Sequence, residues 1–173
     1  MSQPSLSYKV LITGDGAIGK STFLHRLITG EFSDLTMTKG HDFIVYNTDS
    51  GPTPITIVFW DLGGQRQYTP LHKAYLKGAK AVIYAFDISR ITSIGSVKFW
   101  NQFISDNLPT KPINFLLGLK SDLGMRADFY QERIDEVCKE INVTKYWSAS
   151  AKANTNIKES MNELVDTLIN NGK

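Results

Sequence analysis

The 173-residue sequence predicts an α/β fold, with a mainly parallel sheet covered by helices on both faces. Short apolar runs alternate with helix-period stretches from beginning to end. Four of those runs are apolar almost throughout, the pattern of strands buried on both faces. Hydrophobic residues make up 42% of the chain, enough at this length to bury one ordinary core, so a single domain spanning 1–173 is expected.

The elements follow in order. A strand, "YKVLIT" (8–13), runs into a glycine-rich loop and a helix at 20–29. "DFIVYNT" (42–48) and "ITIVFW" (55–60) are joined through the turn-rich "NTDSGPTP", which is short enough to make them a hairpin. Then come the strand "AVIYAF" (81–86), a helix at 92–107 that stops before Pro109, and the strand "INFLLGL" (113–119). A helix at 128–141, the short strand "KYW" (145–147) and a helix at 153–170 complete the chain. Ile134, Val137, Cys138 and Ile141 share one stripe, as do Ile157, Met161, Leu164, Val165 and Leu168, so these helices pack on the sheet. In such a fold ligands bind at the carboxyl ends of the strands, where every polar cluster described below falls.

Composition excludes several classes. Nineteen Lys and Arg against seventeen Asp and Glu give a net charge of +2, interspersed and without a basic run, so nucleic acid is not an expected partner. "AVIYAF" is far shorter than the ~20 residues of a membrane-spanning helix, and "MSQPSLSYKV" lacks the apolar segment of a signal peptide. The single cysteine, Cys138, rules out a disulfide framework and fits a reducing compartment, so a cytoplasmic protein is expected.

"GDGAIGKS" (Gly14 to Ser21) matches Gly, four residues, Gly-Lys-Ser between a strand and a helix. A chance match in a chain this long is of order one per cent. Gly14, Gly16 and Gly19 let successive backbone N–H groups face inward at a helix N-terminus, a nest for phosphate. Lys20 would neutralise the outer phosphates, and Ser21 offers a hydroxyl to Mg²⁺. Kinases, ATPases and GTPases all use this loop, so it identifies phosphate binding alone.

The strand at 55–60 ends in "WDLGGQ". Asp61 can hold Mg²⁺ through a water, Gly64 lets a backbone N–H approach the terminal phosphate, and Gln65 is placed to orient an attacking water. With "GDGAIGKS", "WDLGGQ" and "SAK" (150–152) in this order and spacing, the chain resembles the Ras-like small GTPases over its whole length. "GDGAIGKS" and "TKGHDF" are similar to the Rab and Rho branches, and "DLGGQ" to the Arf pattern.

The resemblance implies a three-layer P-loop NTPase fold: a six-stranded sheet with one antiparallel edge strand, and switch regions at about 31–42 and 61–75. It implies GTP or GDP bound with Mg²⁺, slow hydrolysis of GTP to GDP, and effectors recruited in the GTP state in signalling or vesicle traffic. The phosphate contacts would come from Gly14, Asp15, Gly16, Ala17, Ile18 and Gly19, followed by Lys20, Ser21 and Thr22. Thr38 is the expected switch threonine, binding Mg²⁺ only while the terminal phosphate is present. Phe32 has two readings, a ring against the base or a core phenylalanine. Lys39 and His41 replace apolar or small residues and read as solvated or partner-facing. Arg66 reads as a surface residue and not as an internal substitute for a partner's arginine finger.

Protein partners follow from the same resemblance: an exchange factor, a GTPase-activating protein and effectors, around a monomer. Relatives often carry lipidated C-terminal cysteines, but this chain ends "NNGK" and encodes neither prenylation nor myristoylation. Peripheral membrane attachment is therefore expected only if a tail follows Lys173.

The family reads guanine with Asn-Lys-x-Asp, and here the stretch is Leu119-Lys120-Ser121-Asp122. Guanine offers donors at N1 and its 2-amino group, which the Asp122 carboxylate accepts; adenine presents an acceptor and a C–H there. A site built on such a pair rejects the analogue by ~10⁴ or more. Guanine O6 would take the backbone N–H of Ala151, with Ser150 and Lys152 completing the loop. The missing asparagine would have met N7, common to both purines, and tied base loop to phosphate loop. Leu119 is thus expected to cost affinity rather than preference, by ~1–3 kcal/mol. The alternative is a degenerate GTPase, a nucleotide-binding scaffold with weakened guanine affinity.

Overall fold

A computed structural model describes residues 5–35, 41–124 and 127–172, with no side-chain description at 127–129. Among these residues six strands form one sheet: β1 (Leu6–Thr13), β2 (His41–Ser50), β3 (Thr53–Leu62), β4 (Ala79–Asp87), β5 (Ile113–Leu119) and β6 (Lys145–Ser148). Their order is β2-β3-β1-β4-β5-β6, all neighbours parallel except the β2–β3 hairpin, which leaves β2 as the antiparallel edge strand. Its register pairs Ser50 with Thr53, so only Gly51 and Pro52 make the turn.

Among the described residues five α-helices lie around the sheet: α1 (Lys20–Thr29), α2 (Thr69–Leu76), α3 (Ser96–Asn107), α4 (Ala127–Glu140) and α5 (Ile157–Asn171). Alternation along the central strands explains the layers. Val10, Ile12, Ala81 and Ile83 join Phe23 and Leu24 of α1 and Met161, Leu164 and Leu168 of α5 in one cluster. Leu11, Val82, Tyr84 and Phe86 join Leu76 of α2, Trp100 and Ile104 of α3, and Ile134 and Val137 of α4 in the other. Each fully buried side chain of this size contributes about 1.5–3 kcal/mol, so both faces of the sheet are strongly held.

Several expected boundaries shift. The helix expected at 92–107 begins as a 3₁₀ turn, Ile91–Gly95, before α3, and that expected at 153–170 starts only at Ile157 after Asn156 in a left-handed conformation (φ 54°). Helix α2 was not expected as a helix at all. Its sequence, "TPLHKAYL", buries only His72 and Leu76, so its apolar period is too short to register, and tertiary packing on Trp100 supports it.

Candidate functional site

The loops that leave β1, β3, β5 and β6 at their carboxyl ends wall a cavity of about 370 Å³. Gly16, Ala17, Gly19, Lys20, Ser21 and Thr22 line one end, Lys120, Asp122, Ala151 and Lys152 the other, with Phe32 and Gly64 at its sides.

The phosphate loop is shaped by steric necessity. Gly14 has φ 145°, and a Cβ there would lie 2.2 Å from the carbonyl oxygen of Ala85, so β1 can turn beneath β4 only with glycine. Helix α1 then opens at Gly19 with no side-chain cap and no acidic residue in its first turn. Its first N–H donors therefore face the cavity without a capping side chain, the arrangement of an anion site. Lys20 is 6% exposed, and its Nζ donates to the carbonyls of Gly14 (3.2 Å) and Asp15 (2.9 Å). Burial lowers its pKa, while the Asp61 and Asp15 charges pull it back up. The Ile18 side chain is fully buried in the core beneath the loop, so a phosphate contact there would fall to its backbone N–H, while the Gly14 and Asp15 carbonyls accept from Lys20.

The Ser21 hydroxyl donates to the Asp61 carboxylate at the end of β3. These hard oxygen donors beside the α1 N-terminus fit Mg²⁺. Among the described residues no group of three or more His, Cys, Asp and Glu gathers for a metal, so phosphate oxygens would have to complete the shell. Thr38 lies outside the described residues.

Gly64 presses directly on the phosphate loop: a Cβ there would fall 2.1 Å from the Asp15 carbonyl carbon and 2.2 Å from Gly16 N. Gln65 follows at the edge of this contact but does not line the cavity; its Oε1 accepts a bond from Gln67 Nε2 at 3.0 Å. The Arg66 guanidinium sits 4.0 Å over the Phe99 ring on α3, a cation–π contact in keeping with its surface reading. Phe32 resolves its two readings: at 44% exposed and lining the cavity, it is not a core residue.

At the base end, Ser150 is fully buried, and its hydroxyl donates to Asp122 Oδ1 at 2.5 Å while accepting from the Ala153 N–H at 2.9 Å. Ser150 therefore orients the carboxylate instead of lining the cavity. Leu119 is 2% exposed and belongs to the core cluster beneath α1 and α5. The tie expected of the absent asparagine is made elsewhere. Lys120 Nζ donates to the Ala17 carbonyl at 3.1 Å and pairs with Asp87 Oδ2 at 2.8 Å. The sequence reading missed Asp87, though an aspartate closing the apolar strand "AVIYAFD" at its carboxyl end was a legible signal.

His41, read as solvated or partner-facing, has its ring centroid 3.8 Å from that of Tyr75 and 5.9 Å from that of Trp60. Phe43, 58% exposed, joins them 5.7 Å from Trp60.

A mainly parallel sheet whose cavity has a phosphate-type loop at one end and the Ser150-bonded Asp122 carboxylate at the other is the arrangement of a nucleotide-binding domain. The model of the Ras family matches residues 9–170. The chain is 36% identical over 173 residues to Ras-related protein Rab-32D of Dictyostelium discoideum, covering 95% of this chain and 75% of that protein. It is 31% identical to Ras-related protein Rab-7L1 of Rattus norvegicus over 96% of this chain and 84% of the relative. Ras-related protein Rab-13 of Bos taurus is 28% identical over 95% and 82%, respectively. The chain belongs to the Ras family, in its Rab branch. It is a small GTPase, a GTP-binding switch of a class that hydrolyses GTP.

Proposed function

We propose that residues 1–173 form one G domain that binds GTP or GDP with Mg²⁺, slowly hydrolyses GTP, and recruits effectors while GTP is bound, in vesicle traffic or signalling. The observation that carries the proposal is one cavity lined by the buried Lys20 at one end and the Ser150-bonded Asp122 at the other. Gly16, Ala17, Gly19 and Thr22 would receive the phosphates, Phe32 and the Lys120 stem would flank the base, and Ala151 would read O6, with Lys152 beside it. Ser21 and Thr38, with Asp61 through water, would hold Mg²⁺, which when bound supplies positive charge to the phosphate oxygens.

Hydrolysis requires positioning more than covalent chemistry. Lys20 would exchange its bonds to the Gly14 and Asp15 carbonyls for phosphate oxygens, keeping its charge where negative charge develops. Gln65 would leave Gln67 and turn toward the cavity to hold the attacking water. That rearrangement suits a slow intrinsic rate, and a partner's arginine would raise it by ~10³–10⁵.

Switch regions at about 31–42 and 61–75 flank the phosphate end. The aromatic patch of His41, Phe43, Trp60 and Tyr75 spans β2, β3 and α2 and takes His41 from one switch range and Tyr75 from the other, which supports effectors, an exchange factor and a GTPase-activating protein as partners. No helix among the described residues is long and apolar enough to cross a membrane. We place the protein in the cytoplasm as a monomer, peripheral at membranes if a lipidated tail follows.

Leu119 favours a second reading, a scaffold with weakened guanine affinity. The nucleotide carried by the purified protein and single-turnover GTP hydrolysis separate the two. The switch reading expects bound GDP or GTP, and Gln65→Leu slowing hydrolysis by about 10²-fold. No guanine nucleotide and no measurable GTP affinity would leave neither the switch nor its guanine chemistry standing, and an unchanged Gln65→Leu rate would remove that residue from the mechanism.

A further inference from the structure

We propose that Asp87 is a positioning residue for nucleotide retention: from outside the cavity wall it holds the Lys120 ammonium against the Ala17 carbonyl, locking the base loop to the phosphate loop. The inference rests on the guanine-nucleotide reading above and concerns how firmly that site closes.

Asp87 ends β4, and its side chain is only 5% exposed. Both carboxylate oxygens have partners. Oδ2 lies 2.8 Å from Lys120 Nζ, and Oδ1 accepts from the Ser89 N–H (2.9 Å) and Ser89 Oγ (2.6 Å). The Asp87 N–H donates to Ser93 Oγ at 2.9 Å, and the next residue's N–H donates to the Leu119 carbonyl at 2.9 Å, so this turn is sewn to the end of β5. The carboxylate is a fixed charge on a fixed backbone. Burial alone would raise its pKa, but the bonds from Lys120 and Ser89 outweigh this and hold it below the ordinary value of 3.8.

Lys120 needs such an anchor. Its backbone is left-handed, φ 61°, a conformation unfavourable for lysine that persists only where surrounding contacts impose it. The Ser121 N–H bond to the Ala149 carbonyl (3.1 Å) fixes one side of the turn. From there the lysine stem crosses the phosphate loop, its Cε 3.7 Å from where a Cβ on Gly19 would stand, and the ammonium reaches the Ala17 carbonyl. The side chain is 36% exposed, so without Asp87 the ammonium would keep one neutral acceptor in competition with water. The Leu119 side chain, apolar and buried, offers no polar atom to replace the tie. Lys120 thus bridges the base loop and the phosphate loop, and the Asp87 carboxylate fixes that lysine.

The test is release of fluorescently labelled GDP from the full chain, chased with unlabelled GDP. Asp87→Ala is expected to release about tenfold faster than wild type. Asp87→Asn keeps the shape of the side chain and an acceptor for Ser89, so it preserves the fold, and should release a few-fold faster, about three- to fivefold. A double-mutant cycle supplies the readout that a merely structural role would not give. If Asp87 acts through Lys120, the Asp87→Ala, Lys120→Ala double variant releases at the rate of Lys120→Ala alone. Wild-type release rates in both Asp87 variants, or effects that multiply in the double variant, overturn the inference while leaving guanine binding intact. A wild-type protein that retains no GDP overturns the guanine reading, and the inference with it.

Discussion

At the phosphate end of the cavity, the groups that face the ligand are backbone N–H donors and one buried lysine on a loop running without interruption from β1 into α1. At the base end the lining comes from two separate segments, Lys120 and Asp122 on one and Ala151 and Lys152 on the other, with Asp87 and the buried Ser150 bonded to Lys120 and Asp122 from behind. Backbone donors are set by the fold and change little with side-chain identity, whereas each contact at the base end depends on a particular residue and its orienting partner. The base end is therefore where one leucine can alter the site, and where other side chains can make up for it.

Breaking the phosphate end should have the largest effect. Lys20→Ala removes a buried cation that satisfies Gly14 and Asp15 and balances Asp61, and nucleotide affinity should fall by about 10²-fold or more in equilibrium titration. A loss under about threefold would mean that the loop backbone alone carries phosphate binding. The Asp87→Ala release experiment comes next in size, at about tenfold, and probes the side-chain tie between the two ends. Its effect should hold steady with pH through the neutral range. The depressed Asp87 pKa places the carboxylate's stabilising charge above the unfolded value of 3.8, and that contribution is lost only as pH falls through the still lower folded value.

The smallest effect belongs to Leu119→Asn. It restores the polar residue the family pattern calls for but places an amide where Leu119 packs at 2% exposure among the residues beneath α1 and α5. GDP release should slow by no more than about fivefold, since Lys120 already bridges the loops, while the unfolding midpoint drops by a few degrees, about 2–5 °C. Slowing of a hundredfold would assign to the asparagine position a role that the Lys120 bridge does not share.

The same contrast explains what was legible in the sequence. The strands and the hairpin were readable because apolar runs, four of them nearly continuous, and the short, turn-rich "NTDSGPTP" leave few alternatives. The phosphate loop was readable because its chemistry needs consecutive residues. Asp87 was legible as an aspartate at a strand's carboxyl end, but its partner was not, because the contact with Lys120, thirty-three positions away, exists only once β4 and β5 are paired. The bond from the buried Ser150 hydroxyl to Asp122 was not readable either, because spacing cannot express a single hydrogen bond. Helix α2 escaped for another reason: eight residues with two buried positions give too short a period to distinguish helix from loop.

The most direct test of guanine selectivity by Asp122 in the presence of Leu119 is the ratio of GTP to ATP affinity, measured on nucleotide-free protein with Mg²⁺ present. Retained selectivity predicts GTP preferred by about 10⁴-fold or more, with both affinities lower than a complete set of base contacts would give. Affinities within about tenfold of one another would contradict it.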